Sequence, residues 1–215
     1  MKESLPKIKN TETLTNKAYQ VIKDAIIKNQ IKPEEPIYEQ ELAETLGISR
    51  TPVRSALEKL KTENLLKTQG NQLIVSDLSR EDLEVLFEIR SRLEPYGCKL
   101  AAQFIKEEEL KTLESTILLQ ENTIADQDLN QFLHQEYTFH FTIAQATGNG
   151  YLSDILENII VQVNRYIVIF GGYFKSAPEA LEEHRRIYTE LSEGDPEKAE
   201  LEMKRHIDNA RKRIL

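Results

Sequence analysis

The chain has 215 residues, with 28 Lys and Arg against 36 Asp and Glu, a net charge of −8, and only eight glycines and seven prolines. So few breakers argue against an all-β or loop-rich chain, and the acidity argues against indiscriminate nucleic-acid binding. A single cysteine, Cys98, excludes an internal disulfide and a cysteine-rich metal site.

The charge is unevenly placed. Residues 1–78 hold 12 Lys and Arg against 11 Asp and Glu, and the remainder holds 16 against 25. A near-neutral front and an acidic back predict two domains with different partners, 1–78 and 79–215. The opening MKESLPKIKN has no apolar core, and the longest apolar stretch, YIVIFGGYF, is too short to span a bilayer. A cytoplasmic protein with no membrane partner is expected.

In chain order, residues 1–11 read as a loose polar arm. Ala18, Val21, Ile22, Ala25 and Ile26 have helical spacing, and Pro33 and Pro36 end that helix. A short helix follows over Glu39 to Leu46, closed by Gly47. Ser49 is the expected N-cap of the next, which turns Val53, Ala56, Leu57 and Leu60 inward. LLKTQGNQLIV then predicts a hairpin turning at Gln69-Gly70-Asn71. Three helices and a hairpin in this order are the layout of a winged helix-turn-helix.

Ser79 opens the second block with a capping box that uses Asp82. Helical periodicity predicts helices near 79–103, 106–125, 128–147, 150–171, 176–193 and 196–213. Asp195-Pro196 marks the last start, an acid followed by proline at the first helical position. The fold class expected is mainly α: a winged helix-turn-helix followed by an all-α bundle.

Positive charge collects at SRTPVR, residues 49–54. A helix entering the major groove needs small polar residues where its backbone comes close, and arginines that reach phosphates or guanine edges. Ser49, Arg50, Thr51 and Arg54 supply both, with Arg54 one turn after Arg50. The plainer alternative is that both arginines pair with Glu58 or other surface acids.

The stretch IYEQELAETLGISRTPVRSALEKLKTEN resembles the N-terminal domain of GntR-family bacterial transcription regulators, over roughly residues 14–76. The resemblance implies that Ser49, Arg50, Thr51 and Arg54 contact double-stranded operator DNA and that the wing glycine, here Gly70, enters the minor groove. The chain departs from that pattern at Glu34-Glu35, at Gln40 and at Asn64, where the family commonly has glycine before the wing.

All four histidines fall in the second block. Phe132, Glu136, His140, Ile143 and Thr147 share one helix face. Leu181, His184, Tyr188 and Leu191 share another, as do Ala199, Met203, His206, Ala210 and Ile214. His140, His184 and His206 are therefore expected to point inward from three helices, with Glu136 one turn before His140. His134 faces elsewhere. Three neutral imidazoles and a carboxylate suit a divalent transition metal such as Zn, Ni or Mn. The alternative is a set of satisfied core histidines.

Residues 79–213 resemble the FCD effector domain, the FadR-type C-terminal domain of one GntR branch, through EYTFHFTIAQATGN and EEHRRIYTELSEGDPEKAELEMKRHI. Metal-binding members use an Asp and three His, which map to Glu136, His140, His184 and His206, with Glu in place of Asp. Arg90 lies on the stripe Leu83, Leu86, Arg90, Leu93, Gly97, and a buried guanidinium needs an anion. That anion is either Glu94 or the carboxylate of an effector. Asn164 and Arg165 are further pocket candidates, and Asn149 reads as a helix cap. The expectation is a dimeric, ligand-responsive regulator, a repressor, with a metal and a small organic acid in the helical domain. The alternatives are a metal-dependent hydrolase, with the site activating water, and a DNA-binding protein whose metal is structural.

Overall fold

The structure is a computed structural model and describes residues 13–171 and 173–215. The polar arm expected at 1–11 lies outside the described residues. The chain divides into two compact units, one of residues up to 26 with 30–77 and the other of 27–29 with 78–215.

The first unit contains α1 (Leu14–Ile27), α2 (Glu39–Leu46), α3 (Arg50–Thr62), β1 (Leu66–Gln69) and β2 (Gln72–Val75). Its core is Ile22, Ile26, Ala43, Val53, Ala56, Leu57, Leu60, Leu66 and Val75. Two details differ from the sequence reading. Val21 is exposed, and Tyr19 is buried in its stead, its hydroxyl donating to Glu63 Oε1 at 2.6 Å. The first helix also ends well before Pro33, because Asn29 takes a left-handed backbone, φ 56°.

The helix-turn-helix is shaped by local backbone chemistry. Gly47 closes α2 at φ 64°, its N–H reaching the carbonyls of Ala43 and Glu44. Ser49 holds the extended N-cap backbone of α3, but its hydroxyl makes no capping bond. At the other end of α3, Asn64 sits at φ 59° and Leu65 N donates to Leu60 O at 3.0 Å, a left-handed helix stop. Asparagine tolerates this region better than most residues, which is how it replaces a glycine there.

In the wing, β1 and β2 pair antiparallel from Leu66↔Val75 to Gln69↔Gln72, leaving Gly70 and Asn71 as a two-residue turn with Gly70 at φ 60°. Positive φ at the first turn residue alone is the type II′ pattern. Residues 34–37 add to the free edge of β2: Glu34 N donates to Val75 O at 2.9 Å and Ile37 N to Leu73 O at 2.8 Å.

The second unit contains α4 (Arg80–Phe104), α5 (Glu107–Ala125), α6 (Leu129–Ala146), α7 (Gly150–Phe170), a 3₁₀ turn (Tyr173–Ser176), α8 (Ala177–Glu193) and α9 (Pro196–Ile214). Every α-helix boundary falls within one residue of the expected one, and four of the six starts carry a side-chain cap. Ser79 and Asp82 form the reciprocal box, and Asp128, Asn149 and Asp195 accept from Gln131 N, Leu152 N and Lys198 N. Helix α4 packs along α9, α5 packs against α6 and α8, and α6 packs against α4 and α7. Phe87, Phe132, Phe139, Leu113, Ile187 and Met203 fill the space between them. Four helices, α4, α6, α8 and α9, therefore converge on one interior region.

Candidate metal centre and nucleic-acid interface

His140 on α6, His184 on α8 and His206 on α9 meet in that interior. They are 4%, 0% and 1% exposed, and one ring nitrogen of each lies within 4.8 Å of the others. His134, on the far side of α6, is exposed. Each of the three rings is held by its Nδ1. His206 Nδ1 lies 2.8 Å from Glu183 Oε2, and His184 Nδ1 lies 2.9 Å from Gln120 Oε1. His140 Nδ1 lies 2.7 Å from Glu94 Oε2, an ion-pair contact rather than an aligned hydrogen bond.

A carboxylate or amide oxygen can only accept, so Nδ1 of His206 and Nδ1 of His184 each carry a proton, which leaves Nε2 of both rings free to act as a donor atom to a metal. The orientation of the Gln120 amide is itself set by Glu136, whose Oε1 accepts from Gln120 Nε2 at 2.9 Å. Burial opposes ionisation of Glu94 and Glu183. Arg90 and His140 nevertheless hold Glu94 well below the usual carboxylate range, and Arg213 with His206 holds Glu183 at about 2. Burial in turn pushes His206 down to about 4 and His184 well below its ordinary value, so these two imidazoles stay neutral at neutral pH.

Ring nitrogens of the three imidazoles thus share one buried space. His140 Nε2 and His206 Nε2 are 3.2 Å apart, and His184 Nε2 has no hydrogen-bond partner. Two nitrogens bound to one ion at about 2.1 Å, at tetrahedral to right angles, lie about 3.0–3.4 Å apart. The donor set and its spacing fit a divalent transition metal, and the Nδ1 partners are the outer contacts that orient metal-binding imidazoles.

Glu136 is not among the converging atoms. Its Oε1 faces the Nδ1 side of His184 at 3.6 Å, beyond Gln120, and burial raises its carboxyl to about 7. The structure brings together three of the four expected ligands and sets the fourth one step outward. Arg90 is buried and bound to Glu94, and Asn164 donates to Leu133 O at 3.1 Å. Both candidate effector contacts are therefore engaged inside the protein rather than presented as open anchors, and Arg165 is fully buried.

Sequence reading missed Gln120 and Glu183 and weighed Glu94 only as a partner for Arg90. The signal was present as spacing. Glu183 falls between Ala180 and Ile187, and Gln120 follows Leu113, Thr116 and Ile117, so both occupy core positions of their helices. A polar residue at such a position is buried and needs a partner.

In the first unit, Ser49, Arg50, Thr51 and Arg54 lie exposed along the first turns of α3. Both arginines have an acid, but it is Glu39 at the start of α2, not Glu58. Arg54 Nε and Nη2 donate to Glu39 Oε1 and Oε2 at 2.9 and 2.8 Å, and Arg50 Nη2 donates to Oε2 at 3.3 Å. Both guanidiniums stay accessible, at 58% and 60% side-chain exposure. Gly70 is exposed at the wing tip, with open space where a Cβ would project.

Comparison with known proteins agrees with both halves. Residues 14–73 match the bacterial regulatory proteins of the gntR family, and residues 84–209 match the FCD domain. The chain is 28% identical to the HTH-type transcriptional regulator YdhC of Bacillus subtilis, over 89% of this chain and 86% of that protein. It is 24% identical to the HTH-type transcriptional repressor RspR of Escherichia coli, over 92% and 87%. The solved structure of E. coli McbR/YncC superposes with a TM-score of 0.80 at 21% identity, covering 92% of this chain and 94% of that one. None of the described helices is long and apolar enough to cross a membrane. The chain belongs to the GntR family of bacterial regulatory proteins, in the branch that carries an FCD domain, and is a DNA-binding transcription regulator rather than an enzyme.

Proposed function

We propose that this regulator is a metal-dependent repressor responsive to a small organic acid. A homodimer binds a pseudo-palindromic operator, placing α3 of each copy in the major groove with Ser49, Arg50, Thr51 and Arg54 toward the bases and phosphates, and Gly70 at the minor groove. In the helical domain His140, His184 and His206 would hold a Zn, Ni or Mn ion, with the Glu136 carboxyl one step outward behind Gln120. The bound ion supplies open coordination positions for a carboxylate. A ligand that favours one placement of the two reading heads shifts operator affinity by its differential binding to the two states.

The observation that carries this reading is the convergence of three buried imidazoles, with His140 Nε2 and His206 Nε2 3.2 Å apart. Repression is supported by the similarity to RspR, which is named as a repressor. A dimer is supported by exposed large apolar side chains on the second unit, Val85, Ile89 and Tyr96 on α4 and Tyr151 and Ile155 on α7. The test is operator binding by Zn-loaded protein with and without citrate as a metal-chelating acid probe, beside chelator-treated protein. Affinity that changes with citrate only when metal is bound supports the reading. Affinity indifferent to both metal and citrate contradicts it.

A second reading has one specific observation in its favour. All three histidines are almost wholly buried, which suits an ion that only braces α6, α8 and α9. In that case metal removal lowers the melting temperature while citrate leaves operator affinity unchanged.

A further inference from the structure

We propose that Glu39 is a positioning residue for base reading: it grips one edge of the Arg54 guanidinium so that the other edge is presented to a guanine. This rests on the assignment of α3 as the reading helix. Glu39 takes Arg54 side-on, through Nε and Nη2. A side-on pair leaves Nη1 and the outward hydrogen of Nη2, and that end-on edge is the one that fits guanine O6 and N7. The link spans the helix-turn-helix, from the first turn of α2 to the second turn of α3. It ties a long side chain on the reading helix to a neighbouring rigid element.

The energetics favour support over competition. An isolated arginine loses much rotamer freedom when it is fixed on a base, and a planar fork already held by a carboxylate loses less. The pair is exposed, so by itself it is weak, and DNA does not have to break a strong internal bridge. Arg50 contributes a longer bond to the same Oε2, 3.3 Å. Hydrogen bonding by Arg54, ahead of that by Arg50, holds the Glu39 carboxyl below its ordinary range, so it stays ionised at neutral pH. Its charge repels phosphates of any sequence, which weakens unspecific binding without affecting base choice.

The experiment uses the full-length protein and a duplex selected by the wild type from a random pool. The quantity read is the ratio of affinities for that duplex and a scrambled one. A change of protein charge acts on both duplexes alike and cancels in the ratio. Glu39→Gln is expected to lower the ratio about threefold to fivefold, the scale of an exposed ion pair. Glu39→Asp, which keeps the charge but shortens the reach, lowers it too. In an Arg54→Ala background neither substitution changes the ratio further. With 7-deazaguanine at the base that Arg54 reads, wild type and Glu39→Gln give the same ratio. If Arg54→Ala lowers the ratio but the Glu39 variants leave it unchanged or raise it, the positioning role is overturned. If Arg54→Ala leaves the ratio unchanged, the assignment of the reading helix fails and takes this role with it.

Discussion

His140 Nε2 and His206 Nε2 face each other at 3.2 Å in the interior of the helical unit. Glu183 accepts from the opposite nitrogen of His206, and Glu94 lies 2.7 Å from the opposite nitrogen of His140. Two ring nitrogens at this separation can both serve as donors to one cation.

Glu183→Gln should weaken the metal site without dismantling the helix pairing. The ionised acceptor of His206 Nδ1 is lost, and Arg213 and Asn209 keep a neutral partner. Metal affinity is expected to fall roughly 10- to 100-fold, the usual size of an outer-contact loss. Competition with a coloured chelator measures it. Unchanged affinity would show that Glu183 serves only the link between α8 and α9.

Gln120→Leu removes the acceptor that sets the His184 tautomer and frees Glu136 from its amide partner. Metal affinity should drop by at least about tenfold. Glu136→Gln tests the outward placement of that carboxylate. A loss no larger than that of Gln120→Leu fits an outer role, whereas complete loss of metal would make Glu136 a direct ligand.

The packing of the helical unit was legible in the sequence because most of its helices carry a cap or a proline at the start and a clean apolar period. The inward direction of His140, His184 and His206 followed from the same period. The outer contacts were not legible, because Glu94, Gln120 and Glu183 lie on three different helices, and only tertiary packing pairs each with a histidine. Nor was the pairing of Glu39 with Arg54, which are 15 positions apart. Val21 was misplaced because Tyr19 reaches Glu63 and takes the inward position on α1. Period alone does not weigh that long-range bond.

Glu34 and Asn64 hold left-handed backbones at φ 64° and 59°. Glycine adopts this region without the roughly 1–2 kcal/mol steric cost of a side chain. Glu34→Gly should stabilise the first unit by up to about 1 kcal/mol, and Asn64→Gly by less, since asparagine tolerates the region. Denaturant melts decide the matter; destabilisation by Glu34→Gly would mean that the strand edge at 34–37 depends on that side chain.

On the reading helix, Arg50→Ala should cost roughly 1–3 kcal/mol in operator binding and less on a scrambled duplex. Fluorescence anisotropy with both duplexes checks this. Equal losses on the two would mark Arg50 as a phosphate contact, and no loss would remove it from the interface.

A fragment comprising residues 78–215 should fold by itself and keep the metal. Its core is internal to α4–α9, and all three histidines with their Nδ1 partners lie within it. Far-ultraviolet circular dichroism and metal analysis of the fragment test this together. An unfolded fragment would mean that the second unit depends on the first.

The most direct measurement is the metal content of purified, dialysed full-length protein after exposure to Zn, Ni or Mn, wild type beside His184→Ala. The account predicts close to one ion per chain in the wild type and its loss in the variant. A wild type that retains no ion after any of the three exposures would contradict it, and the three histidines would then be core residues.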